Sequence, residues 1–200
     1  MLLETTSTKL SLAVYLIDSY TGRRISGDAE VSLKGLNIKP VRNPSGYYLF
    51  LNIPEGVYTL QVTGGEYYFD EEKDEVRLSD LDRKDPVILI TLTPTPAYPF
   101  SLSATLIRGC VRDNHGRGIP YANVKIKGRN IRTTTAENGE FVIYFEGLKK
   151  DDVVTTEGKK LVKIKGNNPV LEFMHSDYKK KTKTVEIEEG RINSVSIAYS

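Results

Sequence analysis

The chain has 200 residues, which is enough for one large domain or two small ones. Hydrophobic residues make up 39% and charged residues 27% of it, ordinary globular values that exclude a fully disordered or fibrous chain. The net charge of +2 gives no reason to expect nucleic-acid binding, and a single cysteine excludes an internal disulfide.

The first residues do not have the pattern of a secretory signal peptide. Glu4 stands where a basic region belongs, and Ser11 interrupts the apolar run 10–17. The sequence also has no apolar stretch of the roughly 18 residues that a membrane-spanning helix needs. We therefore expect synthesis in the cytoplasm and no membrane span, while an extracellular or particle-associated location stays open.

The chain contains an internal repeat with an offset of about 94 residues. Residues 15–35 match residues 109–128, with one-residue length differences in two turns. The matched pairs are Asp18 and Asp113, Gly22 and Gly116, Ile25 and Ile119, Ala29 and Ala122, Val31 and Val124, and Gly35 and Gly128. So many matched positions in the same order indicate two copies of one domain.

Apolar and polar residues alternate along several short runs, which is the period-two pattern of half-buried β-strands. These runs are 10–16, 29–33, 58–62 and 87–91 in the first copy and 141–145 in the second. Clusters of Gly, Pro, Asn and Asp separate them every 8–12 residues or so, a spacing typical of sandwiches. The pattern predicts an all-β protein made of two antiparallel β-sandwiches in tandem.

A proline-rich segment at 94–101 separates the two copies. Proline fixes φ and lacks an N–H, so we expect this segment to be an extended, stiff linker between domains 1–93 and 102–200. Residues 1–100 contain 10 basic and 14 acidic residues, a net charge of −4. Residues 101–200 contain 18 and 12, a net charge of +6, so the two domains have opposite charge.

The second copy has a strand, a turn and a strand that resemble a known family. The matching runs are residues 106–113, Gly118-Ile119-Pro120, Ala122-Asn123-Val124 and Asn138-Gly139-Glu140-Phe141. They resemble the carboxypeptidase regulatory-like domain, and the chain departs from that pattern at Ala136, where the family prefers aspartate. The resemblance implies a seven-stranded sandwich of the transthyretin (prealbumin) and Ig-like type in each copy, and it indicates a fold more than a function.

The first copy is similar, in residues 46–50 and 54–60, to SpaA/Cna-B pilin modules. In those modules a lysine of the first strand forms an isopeptide bond, assisted by a glutamate. Here Leu16 stands at the lysine position and Val62 at the glutamate position. The resemblance therefore implies a pilin-type sandwich without an isopeptide bond.

The sequence offers no credible catalytic, cofactor or metal site. His115 and His175 lack the His-x-x-Glu pairing of a zinc peptidase, and Cys110 has no identifiable activating partner. The carboxylates of 66–75 lack the spacing and glycine of a calcium loop, which favours a solvated acidic loop. The lysines of 179–183 are better explained as protection of a strand edge than as a phosphate site.

Aromatic residues provide the candidate binding surface, namely Tyr67, Tyr68, Phe69 and Tyr98. Tyrosines on loops offer a large contact area at low entropy cost, which suits recognition. The alternative is that these rings cover an open end of a sandwich or wedge the two domains together. The sequence leaves both interpretations open.

These features favour a non-catalytic structural or protein-interaction module within a larger assembly. Its expected partners are other proteins, including further copies of the chain that associate through the oppositely charged domains. A ligand-binding accessory module for peptide or carbohydrate is the first alternative. An unrecognised hydrolase is the least favoured.

Overall fold

The computed structural model describes residues 8–199. Of the residues behind the signal-peptide expectation, Glu4 lies outside the described part, and the run 10–17 belongs to the first strand. The described chain is all-β, and its only helical elements are two single-turn 3-10 helices at Leu78–Asp80 and Lys150–Asp152. It divides into two compact units, Met1–Pro94 and Thr95–Ser200. The division falls inside the segment that the sequence assigns to the linker.

Unit 1 is a sandwich of two sheets. Its strands in the described residues are β1 (Leu10–Asp18), β2 (Glu30–Leu33), β3 (Val41–Arg42), β4 (Tyr48–Leu51), β5 (Val57–Thr63), β6 (Glu71–Arg77) and β7 (Val87–Leu92). One sheet has the order β3-β4-β1-β7 and the other β2-β5-β6. Alternate side chains of both sheets are fully buried, among them Leu12, Phe50 and Leu60, and they form the core.

Unit 2 has nine strands in its described part, two more than the resemblance implies. They are β8 (Leu106–Arg112), β9 (Asn123–Ile126), β10 (Arg132–Thr134), β11 (Glu140–Tyr144), β12 (Val153–Thr156), β13 (Lys159–Val162), β14 (Val170–His175), β15 (Tyr178–Thr184) and β16 (Ile192–Ala198). The sheets have the orders β10-β9-β14-β15 and β11-β8-β16, and β12 and β13 form a separate hairpin. Phe141 and Phe173 meet edge to face across the core, with ring centroids 5.8 Å apart.

The two units share one arrangement of strands. The order β4-β1-β7 of unit 1 recurs as β11-β8-β16 in unit 2, and β2-β5-β6 recurs as β9-β14-β15. In both units the first strand pairs in parallel with the last strand, β1 with β7 and β8 with β16. All other pairings between the described strands are antiparallel, so the predicted all-β class is confirmed and one parallel pair in each unit is the exception. The exception arises because the first and last strands of each unit are neighbours that run in the same direction.

The repeated turn after the first strand has the same hydrogen bonds in both units. The Asp18 N–H donates to the Arg23 carbonyl at 2.7 Å, and the Asp113 N–H donates to the Arg117 carbonyl at 2.8 Å. The turn glycines are Gly22, with a φ of 64°, and Gly116, with a φ of 80°. A left-handed residue closes each turn without strain only if it is glycine, which explains why both copies have one there.

The segment between the units is folded into turns and is not extended. The Tyr98 N–H donates to the Thr95 carbonyl at 3.1 Å, and the Ala104 N–H donates to the Ser101 carbonyl at 3.0 Å. The Thr95 and Ser101 hydroxyls also accept backbone N–H groups within these turns. Short polar side chains compete with an extended backbone in this way, and proline is compatible with turns, so the expectation of an extended linker is wrong.

A buried carboxylate makes the stability of unit 2 dependent on pH. Glu172 is 6% exposed and pairs with Lys180 at 2.7 Å and Lys125 at 3.1 Å. Hydrogen bonds from the Lys180 and then the Lys125 side chain lower the pKa of Glu172 below its ordinary value of 4.5. Since the folded pKa is the lower one, these bonds stabilise unit 2 above pH 4.5 and are lost as the pH falls through the folded value.

We expect the urea midpoint of unit 2 to change little between neutral pH and 4.5 and to fall below it. The Glu172→Gln variant should be less stable at neutral pH and should lose less on acidification, because its amide does not titrate. Urea titrations at several pH values, followed by hydrogen exchange in each unit, would measure both effects. Identical pH profiles for the two proteins would contradict the assignment to Glu172.

Candidate interaction surface

Tyr68, one of the four aromatic residues of the candidate binding surface, is a core residue of unit 1. Its side chain is 2% exposed, and its hydroxyl donates to Asp18 Oδ2 at 3.2 Å and accepts the Ser26 N–H at 3.2 Å. Burial raises the pKa of the Tyr68 hydroxyl, which therefore stays neutral and acts as a donor. In this position Tyr68 stabilises the turn after β1 and offers no surface to a ligand.

The other three aromatic residues are buried or half-buried within their own units. Tyr98 belongs to unit 2, is 6% exposed and packs on Phe100 with ring centroids 4.7 Å apart. Its carbonyl accepts a hydrogen bond from the Arg108 guanidinium. Tyr67 and Phe69, in unit 1, are half-buried. Exposure of Tyr68 and Tyr98 is thus not observed, and a binding role stays a prediction for Tyr67 and Phe69.

The remaining candidates from the sequence are also separate from one another. The exposed His115 donates its backbone N–H to Asp113, and His175 stacks beside Tyr178 at 5.4 Å. Cys110 is half-buried and lines a cavity of about 440 Å³ above β8. Among the described residues, no three His, Cys, Asp or Glu side chains lie close enough together to hold a metal ion.

The outer face of one sheet of unit 1 carries a band of apolar side chains across all four strands. Val41 of β3 pairs with Leu49 of β4, Leu49 pairs with Ala13 of β1, and Ala13 pairs with Val87 of β7. Paired residues in a sheet point to the same face, so these four side chains form one row. Val41 is 55% exposed, and Leu49 and Val87 are half-buried.

A second row extends the apolar band toward the end of β1. Tyr15 contacts Tyr47, with ring centroids 4.8 Å apart, and pairs with Leu89 on its other side. Ile17 follows and pairs with Thr91. Leu89 is 58% exposed, so this part of the face is open to solvent. We refer to the two rows together as the apolar face of unit 1.

The sequence contains a signal for the apolar face in addition to the period-two alternation. The runs VYLI (14–17), YLFL (48–51) and VILI (87–90) are continuously apolar, whereas a strand with one wet face alternates. Continuous apolar strands are buried on both faces in most sheets. Here only one face is covered by the described chain, and the other is the exposed apolar face.

The equivalent face of unit 2 is mixed in character. At the positions of the two unit 1 rows it has Val142, Arg108 and Ser194, then Glu140, Cys110 and Ser196, and a further row of Tyr144, Leu106 and Ile192 is apolar. Ile192 is 59% exposed. Polar side chains therefore interrupt this face at the positions where the rows of unit 1 are apolar.

Three solved structures are similar to the chain at 11–12% sequence identity. The match to the Bacillus anthracis TIE protein has a TM-score of 0.32 and covers 94% of this chain and 33% of that protein. The match to a streptococcal ancillary pilin has a TM-score of 0.29 and covers 98% of this chain and 64% of that protein. GBS52, the minor pilin of Streptococcus agalactiae, has a TM-score of 0.31, with coverage of 94% and 95%. These values do not assign a family.

No protein-family profile and no curated protein matches the sequence. The likeness to the carboxypeptidase regulatory-like domain therefore stays a prediction. Two of the three similar structures are pilins. The likeness of residues 46–60 to the SpaA/Cna-B class of pilin modules stays a prediction. At the isopeptide positions of that class, Leu16 and Val62 are 1% and 2% exposed and belong to the core of unit 1. No helix in residues 8–199 is long and apolar enough to cross a membrane.

Proposed function

We propose that the chain is a non-catalytic structural and protein-interaction module of a larger assembly, and that it binds its partner protein through the apolar face of unit 1. The observation that carries the proposal is the apolar band across β3, β4, β1 and β7, which is exposed at Val41 and Leu89 and buried at Ala13 in its middle. An exposed sheet face is ordinarily polar, and a contiguous apolar patch on a soluble protein marks a surface that another protein covers.

The contrast between the units supports a partner on unit 1. Covering the row of Val41, Leu49 and Val87 removes apolar area from water, which stabilises a complex by about 25 cal/mol for each Å². On the outer face of unit 2, Arg108, Ser194 and Glu140 interrupt the apolar side chains, so covering that face would gain less. A streptococcal ancillary pilin and a minor pilin are among the similar structures, so a pilus-type assembly is one setting for this module.

Two valines of unit 1 provide a matched test of the apolar face. Val41 is 55% exposed on the apolar face, and Val57 is 54% exposed on the other sheet. The full chain carrying Val41→Lys should recover partner proteins from the native source at least about tenfold less than wild type, because a lysine must be desolvated in the interface. The Val57→Lys chain should recover them as wild type does.

Quantitative mass spectrometry of the proteins captured on each immobilised chain measures this difference. Equal recovery by both variants would contradict the assignment to the apolar face. Recovery of the same partners by unit 2 alone would contradict it as well. A screen for esterase and peptidase activity tests the other half of the proposal, and turnover that depends on a residue of this chain would refute a non-catalytic role.

A further inference from the structure

Two lysines close one open side of the unit 2 sandwich. Lys181 Nζ donates to the Ala198 carbonyl at 2.6 Å, and Lys183 Nζ donates to the Ser196 carbonyl at 3.0 Å. Both lysines belong to β15 at the edge of one sheet, and both carbonyls belong to β16 at the edge of the other. The lysines therefore bridge two edge strands that have no backbone hydrogen bonds with each other.

The capped carbonyls are those that point away from the sheet. Just before β16, the Arg191 carbonyl accepts the Leu106 N–H, and just after it, the Tyr199 N–H donates to the Arg112 carbonyl. The backbone N–H and C=O groups of the odd-numbered residues of β16 therefore face β8. By alternation, the polar backbone groups of Ser196 and Ala198 face outward, where another strand could pair with them. The lysines occupy these acceptors and protect the edge against such pairing.

The corresponding edge of unit 1 is β7, and the register identifies the equivalent residues. Ile17, just before Asp18, pairs with Thr91, and Arg112, just before Asp113, pairs with Ala198. Thr91 therefore corresponds to Ala198, and Leu89, two residues earlier, corresponds to Ser196. Lysines that capped unit 1 in the same way would have to donate to the outward carbonyls of Leu89 and Thr91.

Unit 1 lacks the lysine cap at this edge. The register through Val31 and Val62 places Glu71 where unit 2 has Lys181, and the register through Leu33 and Leu60 places Lys73 where unit 2 has Lys183. A carboxylate cannot donate to a carbonyl, and no side chain of residues 8–199 donates to the carbonyl of Leu89 or Thr91. A cleft of about 190 Å³ remains open between β6 and β7, with Leu60 and Val62 at its base.

We propose that β7 of unit 1 pairs in antiparallel fashion with β7 of a second copy of this chain, around a two-fold axis. Leu89 of each copy then lies opposite Thr91 of the other, and their outward N–H and C=O groups form about four backbone hydrogen bonds. The pairing joins two four-stranded sheets edge to edge. It is a closed contact, so it gives dimers and not fibres.

A second copy fits this edge because β7 is self-complementary. The strand VILITL has no charged residue, so two copies approach without like-charge repulsion. Glu71, Glu72 and Lys73 line the cleft beside Leu89, so a two-fold axis there brings charges of both signs from each copy near the paired strands. The side chains of Leu89 and Thr91 meet on the outer face of the joined sheet.

The free stretch of β7 is short, which limits the strength of the pairing. The Val87 N–H already donates to the Asp85 carbonyl, and the Thr93 carbonyl accepts the Phe69 N–H. Only the backbone groups between these positions are open to another strand. We therefore expect a weak dimer, with a dissociation constant on the order of 10–100 µM, as for small transient interfaces.

Sedimentation velocity of the full chain from about 1 to 500 µM tests the proposal across that range. The mass of wild type should rise from 22.4 kDa toward twice that value. Leu89→Lys should weaken dimerisation at least about tenfold, because lysine on an edge opposes strand pairing. Leu102→Lys is the matched control, since Leu102 is 99% exposed in unit 2, and it should dimerise as wild type does.

Glu71→Lys provides an independent variant, because it places a lysine where unit 2 has Lys181. This variant should also remain monomeric, and the circular dichroism and melting temperature of all variants should match those of folded wild type. A wild-type mass of 22.4 kDa at every concentration would overturn the proposal, as would equal dimerisation of Leu89→Lys and Leu102→Lys.

Salt separates this dimer from association through the oppositely charged units. Backbone pairing of an uncharged strand should persist at high salt, whereas a dimer that dissociates there rests on charge and overturns the β7 assignment. The outcome is also independent of the proposed function. The Val41→Lys chain should dimerise as wild type does even if it no longer recovers the partner protein. If it lost both dimerisation and partner recovery, the β7 assignment would be overturned, because both would then depend on the apolar face.

Discussion

Replacing Gly139 with alanine is expected to destabilise unit 2 by about 3 kcal/mol or more. Gly139 has a φ of 79°, which an alanine adopts only with strain. An added Cβ would also lie 2.5 Å from the Val111 carbonyl oxygen and 2.7 Å from Gly118 Cα. Both contacts are to backbone, so no side chain can move aside. The free energy of unfolding from urea titration, with hydrogen exchange to assign it to unit 2, measures the loss.

Gly46 is the matched position in the repeat and the control for this prediction. Its φ of 93° imposes the same conformational strain, but the atoms nearest to an added Cβ belong to the exposed side chain of Arg24, which can move. Gly46→Ala should therefore cost unit 1 only about 1 kcal/mol. Equal losses at the two glycines would show that the backbone contacts of Gly139 do not restrict it.

Replacing Asp18 with alanine should destabilise unit 1 by about 2–4 kcal/mol. Asp18 is 1% exposed and accepts the Tyr20 N–H at 2.7 Å and the Tyr68 hydroxyl at 3.2 Å. Alanine removes this acceptor from the half-buried Tyr20 N–H and from the buried Tyr68 hydroxyl, and losing a buried hydrogen-bond partner costs more than the net value of the bond. Hydrogen exchange of the turn after β1 and the urea midpoint of unit 1 report the effect.

Two further variants make the Asp18 prediction specific. Asp18→Asn keeps an acceptor oxygen for the Tyr20 N–H and should lose less than half as much stability as Asp18→Ala. Asp28→Ala, at an exposed position of the same unit, should change the free energy of unfolding by less than about 0.5 kcal/mol. A loss at Asp28 equal to that at Asp18 would mean that burial of the Asp18 carboxylate contributes nothing.

The features that local chemistry determines could be predicted from the sequence. An aspartate followed by a left-handed glycine encodes the turn after the first strand, and Asp18 and Asp113 reveal it without any knowledge of the fold. Alternation along runs such as 10–16 indicates strands, because each residue reports its own burial. The all-β class and the repeated turn follow from signals of this local kind.

Features that depend on contacts between distant segments could not be predicted. The burial of Tyr68 depends on Asp18, 50 residues away, and nothing in the run around Tyr68 indicates it. The lysines of 179–183 suggest edge protection, but only the folded sandwich shows that Lys181 reaches the Ala198 carbonyl. The hairpin of β12 and β13, between β11 and β14, adds two strands that the resemblance to a seven-stranded domain does not predict.

The parallel pairing of first and last strands has a mechanical consequence. If unit 2 is pulled at its ends, force enters at the start of β8 and leaves at the end of β16, and these strands lie side by side over seven register pairs. Force in that geometry acts along the strands and across their hydrogen bonds, so the bonds resist together and cannot open one at a time. Unit 1 has the same geometry in β1 and β7, over six pairs. In each unit, tension applied along the chain would therefore have to shear all hydrogen bonds of this strand pair at once.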